Sequence, residues 1–368
     1  MIYIHVPFCK SRCIYCDFFS TTHDGAWQQK YVDALVREIK GRREEIVRAQ
    51  ADTIYIGGGT PSLLPADFLL QIFDVLGEVC GGFASLGECT IEANPDDVTK
   101  EWTDALRGTP VNRVSMGVQS LNDDMLKQLR RRHTAAQALE AVTTLRERGY
   151  NNLSLDLMYG LPGQSLEEWE RDVRDILAVG APHLSAYALQ VEEGTLLYRN
   201  LEEGIFVLPE EDETVAMYES LMRLTAAAGL EHYEISNFAR LGFRAQHNSG
   251  YWSGRPYVGL GPGAHSYDGG RVRRSNTPDL GLYCEAGEPC FEQEILTDEE
   301  RYNEMVLTRL RTSDGLDIGL LKENERNHTL NVARKHIESG VMSLKNGILR
   351  LESKGIFVSN DIISDFML

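Results

Sequence analysis

The stretch MIYIHVPFCKSRCIYC, residues 1–16, joins a short apolar run to three closely spaced cysteines, Cys9, Cys13 and Cys16. The β-branched run MIYIHV is typical of a buried strand. The spacing Cys-x3-Cys-x2-Cys lets one loop present three thiolates to a metal ion or cluster. Structural zinc sites and most iron–sulfur clusters have four protein ligands, so three cysteines predict a site with one open position.

An iron–sulfur cluster is the interpretation that this spacing favours. Zinc is the first alternative, with His5 or His23 as the nearest candidates for a fourth ligand. A cysteine group without any metal is the second. The other four cysteines lie far from the loop and are expected to be small hydrophobic residues.

Apolar runs followed by amphipathic stretches recur after this first strand. The runs DTIYIGGG, ECTIEANP, NRVSMGVQS, LSLDLMYGLPGQ and HLSAYALQV alternate with segments of helical periodicity. About six such βα units predict a parallel sheet covered by helices, either a TIM-like barrel or an open doubly wound sheet.

Polar residues at the predicted strand ends distinguish these two folds. The cysteines follow the first strand, GGGTPS the second, Glu92 and Asn94 the third, Gln119 the fourth and Asp156 the fifth. Ligands of βα barrels gather at the carboxyl ends of many strands, whereas a dinucleotide fold concentrates its glycines after the first strand. The pattern therefore predicts an α/β fold with a partial (β/α) barrel.

The composition of the 368-residue chain excludes several classes of protein. A hydrophobic content of 42% supplies a full core, and a formal net charge of −18 disfavours nucleic acid as a partner. The seven cysteines do not resemble a secreted disulfide framework. No signal peptide or membrane-spanning segment is evident, so we expect a cytoplasmic protein; peripheral association with a membrane remains open.

Three parts are predicted along the chain. Residues 1–232 form the partial barrel, and residues 233–295, rich in Gly, Tyr, Arg and His, form an irregular segment that closes the barrel mouth. Residues 296–368 form a small C-terminal α+β domain, with a winged helix as one candidate. Its last part is predicted to contain two short strands on either side of residues 353–355.

The stretch CKSRCIYC, followed by GGGTP at residues 57–61, resembles the radical S-adenosylmethionine superfamily. Over nearly the whole chain the resemblance is to the coproporphyrinogen III oxidase-like branch. It implies a partial barrel in which Cys9, Cys13 and Cys16 hold a 4Fe–4S cluster. It also implies that the amino and carboxylate groups of S-adenosylmethionine chelate the fourth iron, which would account for the missing protein ligand.

The resemblance also implies a set of residues around S-adenosylmethionine. Buried carboxylates such as Glu92 and Asp156 need a partner, either a ligand group or a salt bridge across the barrel mouth. Arg131 belongs to a run of three arginines, for which a solvated helix face is the alternative. The implied cofactor residues are Tyr3, Tyr15, Gly58, Gly59, Thr60, Glu92, Gln119, Arg131 and Asp156.

Two features favour haem handling over porphyrinogen oxidation. The oxidases of this branch continue the cysteine motif to a fourth cysteine, where this chain has Phe18. The stretch HNSGYW, residues 247–252, resembles the HNxxYW motif of the branch's haem chaperones and implies that His247 ligates haem iron, with Tyr251 and Trp252 against the porphyrin.

We therefore expect a haem chaperone that binds a 4Fe–4S cluster, S-adenosylmethionine and haem. It would deliver haem to apo-haemoproteins such as those of the respiratory chain, and no catalytic residue is assigned. The alternatives are an oxygen-independent coproporphyrinogen III oxidase or another radical S-adenosylmethionine enzyme.

Overall fold

A computed structural model of the protein describes residues 1–23, 25–286 and 290–368. Its centre is a nine-stranded sheet, and the predicted α/β partial barrel is confirmed. The nine strands are β1 (Ile2–Val6), β2 (Thr53–Gly58), β3 (Glu88–Ala93), β4 (Arg113–Gln119), β5 (Leu153–Tyr159), β6 (His183–Ala188), β7 (Glu231–Glu234), β8 (Asn237–Ala239) and β9 (Val258–Leu260).

The strand order is β7-β8-β6-β5-β4-β3-β2-β1-β9, and the run from β9 to β6 is parallel throughout. The strands β8 and β7 continue the sheet in antiparallel pairing. Ile2, Ile4 and Val6 of β1 have no measurable exposure, as a strand between two sheet neighbours and covering helices requires.

Helices connect and cover these strands. Two of them, the helices Ala135–Glu147 and Leu166–Val179, begin with capping boxes formed by Thr134 with Gln137 and by Ser165 with Glu168. The helices before β9 are α1 (Gly25–Gly41), α2 (Arg43–Ala49), α3 (Ala66–Cys80), α4 (Lys100–Leu106), α5 (Asp123–Gln128), α6 (Ala135–Glu147), α7 (Leu166–Val179), α8 (Leu196–Glu202), α9 (Glu211–Ala227) and α10 (Gln246–Trp252). None of the helices in the described part of the chain has the length and apolar character of a membrane span.

The segment 233–295 is not irregular, although residues 287–289 lie outside the described part. Strand β8 and the second half of β7 join the main sheet, β9 extends it beside β1, and α10 carries HNSGYW. A second sheet contains β10 (His265–Tyr267), β11 (Val272–Asn276) and β12 (Phe291–Ile295), and α11 (Leu280–Glu285) packs on α1. The glycines of this segment permit close packing of one backbone on another, as at Gly259 and Gly261. Because such a glycine-rich sequence is typical of loops, it did not indicate these strands.

The C-terminal part has a hydrophobic core of its own, built around Tyr302, Val306, Leu349 and Phe366. Of the two predicted strands on either side of residues 353–355, the first is confirmed as the strand Ile348–Leu351, and the second is wrong because helices follow it. The hairpin instead turns at Asn346 and Gly347, both with positive φ, as a tight two-residue turn requires. The elements are α12 (Asp298–Arg309), β13 (Leu316–Asp317), α13 (Glu323–Glu338), β14 (Met342–Lys345), β15 (Ile348–Leu351), α14 (Ser353–Ile356) and α15 (Ser359–Asp365).

A buried ion pair fastens α1 to the chain around β9. Glu38 accepts hydrogen bonds from Arg42 at 2.9 Å, from the backbone N–H of Gly261 at 2.8 Å, from Asn276 at 2.9 Å and from Tyr283 at 2.8 Å. Both members of the pair are buried. Because every contact of this carboxylate comes from a different part of the chain, it joins α1, the glycine-rich turn after β9, the second sheet and α11.

We expect Glu38→Ala to lower the free energy of unfolding by about 3–5 kcal/mol, because it leaves the buried Arg42 guanidinium with only the partly exposed Glu45 as counter-charge and leaves the donors of Gly261, Asn276 and Tyr283 without their acceptor. Urea titration followed by circular dichroism measures this change. The matched control is Glu167→Ala, which removes an exposed i,i+4 pair with Arg171 and should cost less than about 1 kcal/mol. Equal effects of the two substitutions would show that the buried pair has no special role.

A candidate cofactor site at the barrel mouth

The three cysteines lie on the loop that follows β1. The backbone N–H of Cys9 donates to the carbonyl of Thr21 at 2.8 Å, and that of Thr21 donates to Pro7 at 2.6 Å, which draws the two ends of the loop together. The buried side chain of Ile14 packs in a small apolar cluster with Leu129. The loop is therefore attached to the barrel at both its base and its middle.

Burial and neighbouring thiols raise the pKa of Cys9 and Cys16. Desolvation, and after it the charges of the other two sulfurs, raise the pKa of Cys16 to about 11, and desolvation chiefly raises the pKa of Cys9. In the part of the chain that the structure describes, no three Cys, His, Asp or Glu side chains are close enough to hold a single metal ion. Three soft sulfur donors suit a positively charged cluster, which stabilises thiolates.

The GGGTP stretch after β2 lies directly against this loop. A Cβ on Gly59 would come within 2.7 Å of the Phe8 carbonyl and 3.0 Å of the Cys9 sulfur. Gly58 has φ of 115°, and Thr60 donates from its hydroxyl to the Cys9 sulfur at 3.6 Å. Only glycine permits this approach of backbone to sulfur.

Glu92, at the end of β3, is held by donors from β2. Its two oxygens accept from the Tyr55 hydroxyl at 2.7 Å and from the Gly58 N–H at 3.1 Å. Burial nevertheless raises the pKa of this carboxyl to about 7, with a further contribution from Asp156. No salt bridge joins Glu92 to a cation among the described residues, so it retains capacity for a positively charged or hydroxyl-bearing ligand.

Asp156 and Gln119 continue the ring of polar groups around the mouth. Ser115 and Ser154 donate to the Asp156 carboxylate at 3.2 Å each, and desolvation raises its pKa. Gln119 has φ of 68°, and the pairing of β4 with β5 shifts register between Gly117 and this residue. Such non-glycine residues in the left-handed region concentrate at functional sites.

Arg131 is turned into the barrel and not toward solvent, which decides against the alternative of a solvated helix face. Its guanidinium donates to the Asn94 side chain at 2.7 Å, to the Gly117 carbonyl at 2.6 Å and to the Cys13 sulfur at 3.5 Å. The charges of Tyr15 and Cys13 outweigh desolvation and raise its pKa. The sequence placed Asn94 at a strand end without assigning it a role; its contact with Arg131 adds it to the site.

His247 lies in α10 with both ring nitrogens hydrogen-bonded. The side chain is fully buried, and its Nδ1 is 3.0 Å from the Thr53 hydroxyl while its Nε2 is 3.0 Å from the Tyr251 hydroxyl. Desolvation lowers the pKa of this imidazole to about 3. Ligation of haem iron by His247 would require one of these two contacts to break, and it stays a prediction. The motif gives the residue type and not the direction of the ring.

An aromatic cavity of about 260 Å³ opens beside the cysteine loop. Tyr3 and Tyr251, both singled out in the sequence, form part of its wall. The wall residues are Tyr3, His5, Phe18, Phe19, Tyr251, Tyr257, Gly263 and His265. His265 is an exposed member whose pKa is lowered by partial burial and by Arg273. The sequence signal that could have found it is the histidine that ends GLGPGAH.

These observations define the class of the protein. A partial barrel with three cysteines after its first strand, a glycine loop against them and polar groups at successive strand ends is the arrangement of a radical S-adenosylmethionine protein. Residues 3–176 match the family described as the Radical SAM superfamily, and residues 296–358 match the HemN C-terminal domain. Proteins of this superfamily bind a 4Fe–4S cluster and S-adenosylmethionine.

Similarity over the full length identifies the branch. The chain is 34% identical to the Heme chaperone HemW of Bacillus subtilis over 99% of this chain and 98% of the relative, and 33% identical to that of Lactococcus lactis over 100% and 97%. The chain belongs to the HemW family. Its fold is also that of coproporphyrinogen III oxidase (HemN) from Escherichia coli, with a TM-score of 0.82, 21% identity and coverage of 99% of this chain and 89% of the other.

Replacing Cys9, Cys13 or Cys16 by alanine should abolish cluster binding, because each removes one of only three sulfur ligands. Anaerobic reconstitution with iron and sulfide, followed by iron analysis and visible absorbance, measures the result. Cys80→Ala is the matched control: this exposed cysteine at the end of α3 should leave the iron content unchanged. Full iron content in any of the three variants would contradict the assignment.

Proposed function

We propose that this chain is a haem chaperone: it holds haem at the barrel mouth and transfers it to apo-haemoproteins, those of the respiratory chain among them. We place its action in the cytoplasm. The haem is cargo, and the 4Fe–4S cluster and S-adenosylmethionine are resident cofactors.

The observation that carries this proposal is the aromatic cavity beside the cysteine loop. Aromatic rings pack against a large flat apolar ligand, and Tyr and His add polar groups at its edge. Phe18 lies at this cavity with 64% of its surface exposed. An apolar site open to solvent suits a ligand that must later leave, and the full-length similarity to haem chaperones supports haem as that ligand.

We assign the resident cofactors to the residues that adjoin the cavity. Cys9, Cys13 and Cys16 would hold the cluster, whose chemistry when bound is one-electron transfer to the sulfonium of S-adenosylmethionine. The residues proposed to contact the S-adenosylmethionine are Tyr3, Tyr15, Gly58, Gly59, Thr60, Glu92, Gln119, Arg131 and Asp156. Gly59 lets the ligand approach the backbone, and Glu92 offers an acceptor for its amino or ribose hydroxyl groups.

We propose a corresponding division of labour along the chain. Residues 1–232 hold the cluster and S-adenosylmethionine, and residues 233–295 close the mouth and supply Tyr251, Tyr257 and His265 to the cavity. Residues 296–368 form the attached C-terminal domain. The net charge of −18 supports a role without nucleic acid.

Porphyrinogen oxidation is the second candidate, and the shared fold with coproporphyrinogen III oxidase is the observation that favours it. Against it, this chain has Phe18 where the resemblance to the oxidases calls for a fourth cysteine. A protein that forms protoporphyrinogen from coproporphyrinogen under anaerobic reducing conditions, with release of deoxyadenosine, would be such an enzyme.

The chaperone proposal predicts saturable haem binding and transfer. Adding haem to the reconstituted protein should give a stoichiometric change in the Soret band, and subsequent addition of an apo-haemoprotein should move the haem to it. Bovine serum albumin is the control acceptor. The protein should transfer haem to albumin no faster than albumin takes up free haem from buffer. Absence of saturable binding would exclude the proposal, and anaerobic turnover of coproporphyrinogen would favour the enzyme.

Glu92 gives S-adenosylmethionine binding a predictable pH dependence. Its pKa of about 7 means that the carboxylate acceptor forms as pH rises, so affinity should increase between pH 6 and pH 8. Glu92→Gln should weaken binding about tenfold or more at pH 8 and flatten the dependence, because a hydrogen bond to a charged acceptor is lost. Isothermal titration calorimetry with S-adenosylmethionine tests this.

The matched control for that experiment is Glu140→Gln on the exposed face of α6. It should keep both the affinity and the pH dependence of the unmodified protein. An unaltered pH profile in Glu92→Gln would remove Glu92 from the S-adenosylmethionine site.

A further inference from the structure

The aromatic cavity has two histidines in its wall, and they differ in availability. His5 uses both ring nitrogens, since its Nδ1 lies 3.1 Å from the Tyr3 hydroxyl and its Nε2 lies 2.8 Å from the Phe19 carbonyl. His265 has no hydrogen-bond partner on either ring nitrogen among the described residues. His247, behind the cavity, has both nitrogens engaged. Of these three histidines, only His265 can donate a nitrogen lone pair to a ligand without breaking an existing hydrogen bond.

The backbone around His265 is fixed although its side chain is exposed. A Cβ on Gly259 would lie 1.9 Å from the His265 carbonyl oxygen, and a Cβ on Gly261 would lie 2.6 Å from the His5 carbonyl oxygen. His265 also pairs with Ser275 of β11. Close backbone packing on one side and strand pairing on the other hold the Cα of His265 in place, so the imidazole can be presented to the cavity at little cost in entropy.

The remaining wall indicates the chemical class of the ligand. Phe18, Phe19, Tyr251 and Tyr257 supply apolar and aromatic surface. A volume of about 260 Å³ lies below the range of about 300–1,000 Å³ typical of enclosed ligand sites, so a ring system as large as a porphyrin enters only in part. Exposed Phe18 extends the apolar surface outward from this opening.

We propose that His265 is the axial ligand of haem iron and that the aromatic cavity receives one edge of the porphyrin. This inference rests on the proposed haem-chaperone function and names the site within it. Imidazole is a common axial ligand of haem, and an iron bonded to one lies within reach of aromatic rings that can pack on the macrocycle. No electron or proton transfer is needed, because a neutral imidazole displaces a weak ligand such as water from ferric iron.

His247 then has a positioning role. Its Nε2 is 3.0 Å from the Tyr251 hydroxyl, and the two rings meet edge to face with centroids 5.0 Å apart. Tyr251 in turn packs edge to face on Tyr257 at 4.8 Å. His247 therefore supports the aromatic wall from behind without contact with the iron.

The test is His265→Ala in the reconstituted full-length protein, with ferric haem as the probe. We expect affinity to fall about tenfold or more, and the electron paramagnetic resonance and resonance Raman signatures of imidazole ligation to disappear. Free imidazole added to His265→Ala should restore those signatures. Because the side chain is exposed, the variant should keep its circular dichroism spectrum and its iron–sulfur absorbance.

Two matched variants separate ligation from support. His247→Phe should weaken haem binding but keep the signature of imidazole ligation, since the ligand remains. His336→Gln in α13 of the C-terminal domain should change neither. Saturable binding with an unchanged imidazole signature in His265→Ala would overturn the assignment, as would loss of that signature in His247→Phe. Failure of the unmodified protein to bind haem would instead overturn the proposed function.

Discussion

The position of β1 between two parallel neighbours is the constraint on which the site depends. Val6 at its carboxyl end is paired with Gly58, and Ile4 is paired with Leu260. Because carboxyl ends of parallel strands lie at the same edge of a sheet, the cysteine loop is placed between GGGTP and GLGPGAH. The pairing of β1 with β2 and β9 thus brings together the three cysteines, the GGGTP loop and the aromatic cavity.

That arrangement requires unusually close backbone contacts. Cβ atoms at Gly58, Gly59 and Gly261 would each come within 3.0 Å of atoms in β1 or the segment that follows it. Glycine is required at such positions for steric reasons. The buried pair of Glu38 and Arg42 then holds this crossing against α1, since it bonds the backbone of both Gly259 and Gly261. A charged pair in the core therefore serves the geometry of the mouth.

The sequence predicted what depends on periodicity and local spacing. Predicted strand ends identified Glu92, Gln119 and Asp156, because residues that follow successive parallel strands lie side by side around the mouth of a barrel. Periodicity did not reveal β8 to β12, since these strands are only three to five residues long and are separated by segments that contain glycines. The C-terminal hairpin was displaced for a related reason: the turn is decided by positive φ at Asn346 and Gly347, and the chosen Ser353–Gly355 lies in a helix.

The roles of the histidines depend on side-chain direction, which no residue pattern specifies. HNSGYW forms α10, where His247 and Tyr251 lie four residues apart on one helix face and bond to each other. The four-residue spacing in a helix favours this contact between His247 and Tyr251 over a separate contact of each residue with haem. The GLGPGAH stretch, residues 259–265, ends at the exposed imidazole of His265, which begins β10.

A partly enclosed cavity is consistent with carriage of a ligand. Full burial of a porphyrin would give slow release, because affinity differences between related sites arise mainly in the dissociation rate. In the proposed haem site, a single imidazole bond and an aromatic wall on one side would hold the porphyrin in orientation while its other part stays accessible to an acceptor. The exposure of Phe18 has the same consequence: where a porphyrinogen oxidase carries a fourth cysteine, this chain has apolar surface from which cargo can depart.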